Sequence, residues 1–190
     1  MIVDMQKGFT IIEIAIVTGL MALLVAVLAP QLINFNQRRL VTEDARTIEN
    51  GIRVAQTLAD SGVKSPSGGT DAYRFSLLKG TGDTGNCYRG YQVVAVNNTT
   101  APILPTLEQK GLTCGVVMYS TWSQIFYQSE SGKLITLDGI TPKTVNICYP
   151  GKGFVPITID AAGKIMRGEF NPTIGANCST CTTACRALIP

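Results

Sequence analysis

The chain begins with a long apolar run. From Phe9 to Ala29, the sequence FTIIEIAIVTGLMALLVAVLA contains a single ionisable side chain, that of Glu13. About twenty apolar residues in an α-helix span roughly 30 Å, which is the thickness of the hydrocarbon core of a bilayer. The run therefore predicts a membrane-spanning helix over residues 9–30, with one carboxylate near its start.

Beyond Pro30, apolar residues recur at steps of three and four, which is the spacing of one face of a helix. They are Val41, Ala45, Ile48, Ile52, Ala55 and Leu58. The charged residues fall mostly on the other faces and are interpreted as mainly solvated; they are Arg38, Arg39, Glu43, Asp44, Arg46, Glu49 and Arg53. Gly62 suits the position just after a helix end. Residues 31–62 are therefore predicted to continue the first helix as an amphipathic segment.

After residue 62 the hydrophobic period changes. Short segments rich in β-branched and aromatic residues are separated by Gly, Pro, Asn or Asp. They are residues 73–79, 91–96, 114–120, 122–128, 133–138, 144–149, 154–160 and 164–170. SESGK (129–133) and DAAGK (160–164) are typical of hairpin turns, and Trp122 is interpreted as a core residue. The pattern predicts an α+β fold in which one long helix packs on an antiparallel β-sheet head spanning residues 63–190.

Composition argues against an enzyme. The 190 residues carry a net charge of +3 and include no histidine. This excludes a Ser-His-Asp triad, a Cys-His pair and a histidine-ligated zinc. GTGDTG (80–85) formally matches a dinucleotide-binding pattern, but no helical pattern follows it, so it is interpreted as a loop. We expect no catalytic residues and no cofactor, and the absence of a Walker A sequence means that any ATP hydrolysis belongs to another protein.

Six cysteines all follow the apolar run: Cys87, Cys114, Cys148, Cys178, Cys181 and Cys185. An even number confined to one side of a membrane segment favours an oxidising compartment and three disulfides, with at least one long-range bridge. Tail cysteines joined to Cys148 or Cys114 would clamp the C-terminal loop onto the sheet. The alternatives are redox chemistry at CSTCTTAC (178–185), or zinc with Cys148 as a fourth ligand.

Two ordinary explanations account poorly for the N-terminal run. A secretory signal peptide needs a basic start and a cleavage site after the apolar stretch. Here Asp4 accompanies Lys7, and Pro30 directly follows the candidate cleavage point at Ala29. A plain membrane anchor fits the length but does not explain Glu13, because an acid within a membrane helix is costly and usually functional.

The segment KGFTIIEIAIVTGLMALLVAVLAP, Lys7 to Pro30, resembles the N-terminus of a type IV prepilin. That family has a short leader ending in Gly, the class III signal peptide, followed by Phe, an apolar run with Glu four residues after the Phe, and often a closing Pro. Gly8, Phe9, Glu13 and Pro30 occupy those places. The resemblance is strong over about fifty residues. It implies that a prepilin peptidase removes residues 1–8 and N-methylates Phe9.

Cleavage would leave a charged amine on Phe9, which needs a partner in lipid as much as Glu13 does. Within a helix their spacing brings the two close together. In an assembly, Glu13 of one subunit could pair with the Phe9 amine of a neighbour and so fix the axial register. Gly19 and Pro30 weaken the helix locally, and stretching between them would help subunits to pack. For Gly19, close helix packing is an equally good explanation.

The resemblance implies a structural subunit, a major or minor pilin, that forms a homopolymer or assembles with other pilins. Its further partners would be the peptidase and an inner-membrane assembly platform with a separate ATPase. The precursor would lie in the bacterial inner membrane and the product in an extracellular filament. One alternative is a pseudopilin of a type II secretion system, in the periplasm. Another is a minor pilin that binds nucleic acid through Lys143, Lys152, Lys164 and Arg167.

Overall fold

The computed structural model describes residues 10–62, 72–97, 101–135, 142–173 and Cys181. In this part of the chain, one helix, α1 (Ile11–Asp60), precedes all the strands. The contacts divide the chain between Asn36 and Gln37 into two units. The first unit holds the apolar part of α1, which is long and apolar enough to cross a membrane. The second unit holds the rest of α1 and the strands.

The strands of the described residues form two antiparallel sheets of five strands each. Their bounds are β1 (Ala72–Leu78), β2 (Cys87–Tyr88), β3 (Gly90–Asn97), β4 (Ala101–Gly111), β5 (Val117–Ser120), β6 (Gln124–Gln128), β7 (Leu134–Ile135), β8 (Lys143–Tyr149), β9 (Gly153–Ile159) and β10 (Ile165–Arg167). Sheet I has the order β4-β3-β1-β6-β7, and sheet II has the order β10-β9-β8-β5-β2. The predicted α+β class is confirmed, although the sequence indicated one sheet and not two.

The second part of α1 and both sheets share one hydrophobic core. The predicted apolar face of α1 is buried at each position except Leu58, which is partly buried against the same core. Sheet I contributes alternate residues of β1, such as Phe75, and sheet II contributes alternate residues of β8 and β9, such as Ile147 and Ile157. Trp122 is 5% exposed and joins this core, as expected. Its indole Nε1 donates a hydrogen bond to the Thr144 carbonyl at 3.0 Å.

Gly51 lets α1 approach sheet I closely. A Cβ atom at this position would lie 2.3 Å from Cε2 of Tyr91, whose ring stacks on Phe75 with 5.2 Å between centroids. Glycine costs a helix about 1 kcal/mol relative to alanine, so a packing reason is expected where it persists in a helix interior. Here the reason is the space taken by the Tyr91 ring.

The predicted helix end and the two predicted turns are also present. Gly62 has a φ of 60° and donates its N–H to the Ala59 carbonyl at 3.2 Å, which ends α1 as a left-handed residue does. Residues 129–133 connect β6 to β7, and residues 160–164 connect β9 to β10. GTGDTG is a loop held by Asp83, which accepts hydrogen bonds from the Gly80 N–H and from Nε of Arg89.

Two local predictions were wrong. Strand β4 was not predicted from the sequence, because its segment contains Pro102 and Pro105. Proline is tolerated there because β4 is an edge strand of sheet I. Asp44 was interpreted as one of the solvated charges, yet the residue is only 7% exposed.

Candidate assembly site

The first unit presents an apolar surface on every side of the helix. The large apolar side chains from Ile11 to Phe35 are each at least about half exposed, and none of them contributes to the core of the second unit. A continuous apolar surface of this kind marks contact with a membrane or with other proteins. The surface begins beside the one carboxylate of the run, that of Glu13.

Glu13 caps the start of α1. Its Oε2 accepts hydrogen bonds from the Thr10 N–H at 3.0 Å and from the Thr10 hydroxyl at 2.9 Å. The Glu13 N–H in turn donates to Oγ1 of Thr10 at 3.3 Å. These reciprocal bonds form a capping box, which satisfies backbone donors at the helix N-terminus. Sequence reasoning missed this role, although the T-x-x-E spacing from Thr10 to Glu13 is its known signature.

The remaining predicted assembly residues lie in or before the same helix. Gly19 lies within α1, and a Cβ added there would meet nothing within 4 Å, so its surroundings in the isolated chain are open. Pro30 also lies inside α1, and the helix continues through it. Local stretching between the two therefore remains a prediction about assembled subunits. The predicted cleavage residues Gly8 and Phe9 lie outside the described residues.

The described cysteines are all disulfide-bonded. Cys87 on β2 is joined to Cys181 of the tail, with 5.7 Å between their Cα atoms and 94 residues between them in sequence. Cys181 is thus not paired with Cys114 or Cys148, which are themselves disulfide-bonded. Cys178 and Cys185 lie outside the described residues. The Cys87–Cys181 bridge is the long-range kind that the sequence indicated.

The bridge lies on the outer face of sheet II. Cys87, Val117, Cys148 and Cys181 form a small buried cluster there, and Phe154 packs against it. Among the described residues, no group of three or more Cys, Asp or Glu side chains could hold a metal ion. The disulfide therefore attaches the tail to the sheet at Cys181.

The predicted basic patch is exposed at Lys152 and Lys164, whereas one of its other two residues is buried and one is paired within the subunit. Lys143 is 4% exposed, and Nε of Arg167 lies 3.5 Å from Oε2 of Glu49 on α1. Two of its four cations are therefore either buried or neutralised within the subunit. Nucleic-acid binding needs cations that remain available to phosphates.

Comparison with known proteins places the fold. No family model matches the chain, and no curated protein matches its sequence. The structure is similar to crystal structures of the type IV minor pilin FimU of Pseudomonas aeruginosa in two crystal forms. One has a TM-score of 0.50 and 18% identity over 72% of this chain and 98% of that chain. The other has a TM-score of 0.52 and 19% identity over 76% and 98%. The chain therefore has a pilin-like fold.

Proposed function

We propose that the chain is a structural subunit, a major or minor pilin, of a type IV pilus. The observation that carries the proposal is the exposed apolar part of α1, from Ile11 to Phe35, in a chain of pilin-like fold. Burial of such a surface between subunits would supply the main free energy of polymerisation once subunits leave the lipid. The protein of similar fold is a type IV minor pilin, which favours the minor pilin as one form of this proposal.

The proposal includes processing and transport. Prepilin peptidase removes residues 1–8 and N-methylates Phe9, and Glu13 then pairs with the Phe9 amine of a neighbouring subunit. The precursor lies in the inner membrane, and an assembly platform with a separate ATPase builds the filament outside the cell. Adhesion, twitching motility or DNA uptake would be outputs of the filament and not reactions of this chain.

The alternative is a pseudopilin of a type II secretion system, which would stay in the periplasm. The disulfides favour the pilus, because covalent links suit a head exposed outside the cell. The DNA-binding alternative is weakened by the burial of Lys143 and the pairing of Arg167. We therefore expect uptake of DNA, where it occurs, to depend on the filament as a whole.

Shearing of surface filaments tests the proposal. Electron microscopy of the sheared material, with mass spectrometry of its subunits, should find this chain in filaments with a methylated Phe9 at its N-terminus. Abundant subunit would indicate a major pilin, and trace amounts would indicate a minor one. Filaments that lack the chain, while it stays in the periplasm, would favour the pseudopilin.

Cleavage is tested by Gly8→Val. The β-branched side chain should block the peptidase, so the full-length chain should accumulate in the membrane and filaments should be lost. Thr10→Ser, two residues beyond the cut, keeps the capping hydroxyl and serves as the control that is processed normally. Assembled subunits that begin at Met1 or Gln31 would contradict the proposed processing.

A further inference from the structure

Two exposed arginines follow directly after the apolar run of α1. Phe35 is the last large exposed apolar residue of that run, and Arg38 and Arg39 come next among the charged residues of the helix. Because α1 continues through these residues, Arg38 lies about 4.5 Å beyond Phe35 along the helix. The headgroup layer on each side of a bilayer is about 5–8 Å thick. When the apolar run lies in a bilayer, Arg38 is therefore at the level of the headgroups.

Arg38 is held in place by an aromatic ring. Its Cζ lies 5.2 Å from the centroid of the Phe170 ring, which itself is partly buried against the core of the second unit. A cation over the face of a ring is attracted by the electrons of that ring. Among the described residues, the Arg38 side chain forms no hydrogen bond and no ion pair. Its N–H donors are therefore oriented by the ring contact and stay available to a ligand.

The same ring contacts a turn that carries a further cation. The Phe154 N–H donates to the Asn171 carbonyl at 2.9 Å, and the Asn171 N–H donates back at 2.8 Å, so the chain after β10 lies beside the start of β9. A Cβ atom added to Gly153 would lie 2.6 Å from Cζ of Phe170. The turn between β8 and β9 thus packs on the ring, and the exposed Lys152 belongs to this turn.

We define the basic rim as Arg38, Arg39 and Lys152. Arg39 pairs with Glu43 at 2.7 Å, but their side chains are 65% and 49% exposed. An exposed ion pair of this kind contributes little and leaves the cation accessible to another anion. The rim therefore presents cations from α1 and from a turn of sheet II. Guanidinium and ammonium groups are the side chains that bind phosphate oxygens.

The position of the basic rim along the chain selects the phosphate of a lipid. The apolar side chains before the rim are exposed, and the acyl chains that cover them bring their headgroups to the level of Arg38. Anionic headgroups attract cations next to a membrane helix. Arg46 is also exposed and in no ion pair of the described residues, but it lies about 12 Å farther along α1 than Arg38. Arg46 is therefore beyond the headgroup layer and provides a matched control.

We infer that the basic rim binds the phosphate of an anionic phospholipid while the subunit is held in the membrane. The inference rests on the membrane-held precursor of the proposed function and adds a headgroup site to its apolar anchor. Acyl chains along the apolar run and a phosphate at the rim are two contacts with the same lipid layer. Both are released when the subunit leaves the bilayer, so the site acts before assembly and not within the filament.

Photolabelling in vesicles tests the headgroup site. The full-length chain is reconstituted in phosphatidylcholine vesicles that contain a small fraction of phosphatidylglycerol with a photoreactive headgroup. Mass spectrometry of the digested chain should find the label in the turn that contains Lys152 and beside Phe170. Arg38→Gln should lower this labelling by about fivefold, which is the effect of one cation near an anionic membrane surface. Arg38→Lys keeps the charge and should keep most of the label, and Arg46→Gln should label like wild type.

Three outcomes would overturn the inference. One is equal labelling of wild type and Arg38→Gln, and another is an equal loss in Arg38→Gln and Arg46→Gln. The third is labelling by photoreactive phosphatidylcholine that depends on Arg38 to the same extent, because that lipid has no net charge. The inference expects this neutral lipid to label the rim weakly in every variant.

Competition identifies the source of the phosphate. Soluble glycerophosphoglycerol should not remove the label, because only acyl chains hold a headgroup at the rim; removal would overturn the lipid as the ligand. Removal by a short single-stranded DNA at the same concentration of phosphate would reassign the rim to nucleic acid. A chain that labels as expected but is absent from filaments would overturn the proposed pilus and leave the headgroup site standing. Filaments of a chain whose labelling is independent of Arg38 would overturn the inference alone.

Discussion

Asp44 shows how one residue can depart from the pattern around it. It follows Glu43 in a charged stretch of α1, yet it points toward the head and holds the loop before β5. Its Oδ2 accepts the Thr113 N–H at 2.9 Å, and its Oδ1 accepts the Thr113 hydroxyl at 3.0 Å. The loop contains Cys114, so the contact connects the helix to a disulfide-bonded part of the head.

The burial of Asp44 predicts a pH dependence of stability. Burial raises the pKa of the Asp44 carboxyl above its ordinary value, the charge of Glu43 adds to this, and the bonds from Thr113 and the charge of Lys110 oppose it. Between the ordinary pKa and the raised one, the folded state binds more protons than the unfolded state. The contribution of Asp44 to the free energy of unfolding should therefore decrease as pH rises through that window.

Asp44→Asn removes this titration but keeps the shape. The amide oxygen can accept the Thr113 N–H, and the amide nitrogen can donate to the Thr113 hydroxyl. Denaturant unfolding of the full-length chain in detergent should show the variant gaining stability relative to wild type as pH rises through the window above 3.8. Asp44→Ala should lose about 1–3 kcal/mol, because both hydrogen bonds between the Asp44 carboxylate and Thr113 would be lost. A difference between Asp44→Asn and wild type that is constant with pH would contradict the argument.

At the scale of the element, the start of α1 combines two tasks in one carboxylate. Glu13 satisfies the capping donors of Thr10 within its own helix. The proposed assembly also requires its charge for the amine of Phe9. The two tasks make different demands, since a cap needs only an acceptor oxygen whereas an ion pair needs the charge.

Two substitutions of Glu13 separate these tasks. Glu13→Gln keeps an acceptor for Thr10 and removes the charge, and Glu13→Val removes both. Both variants should insert in the membrane at least as well as wild type, because a buried charge is costly there. Filaments should fail or become sparse in both, with normal cleavage at Gly8. Wild-type filament yield from Glu13→Gln would show that the cap, and not the charge, is what assembly needs.

The elements that the sequence predicted are those in which one physical signal dominates. The apolar stripe of α1 and the alternating strands β8 and β9 follow directly from the helical and β periods. Strand β4 was missed because its two prolines contradict a strand unless its place at a sheet edge is known. The same applies to the site: the N-terminal pattern indicates Glu13, but only the fold shows that Cys181 is joined to Cys87.

At the scale of the whole molecule, the two units are stabilised by different means. The second unit has its own core of α1 and two sheets, with side chains such as Ile48 and Ile157 at 0% exposure. The first unit has no such core in the described residues, since its large apolar side chains are exposed. In the proposed pilus, lipid would cover it before assembly and other subunits would cover it afterwards. The head would then have to stay folded through extraction from the membrane by means of its own core.

The disulfides stabilise the folded head in addition to its hydrophobic core. A bridge across 94 residues, as between Cys87 and Cys181, restricts the unfolded chain strongly. Cys181→Ser should therefore lower the free energy of unfolding by about 2–4 kcal/mol. Hydrogen exchange should show the segment after Pro172 loosening before sheet II, which keeps its core residues. Surface filaments should decrease through proteolysis of the loosened subunit.

A matched pair of variants and a metal assay complete this last test. The double variant Cys87→Ser with Cys181→Ser loses the same bridge but leaves no unpaired thiol, so its stability should equal that of Cys181→Ser while mispaired species disappear. Cys185→Ser probes the part of the tail beyond the described residues and should likewise expose one thiol. Denatured wild-type chain should show no free thiol and no zinc, because its cysteines are disulfide-bonded. Stoichiometric zinc, with thiols that react once a chelator is added, would contradict the disulfide clamp and with it the oxidising compartment.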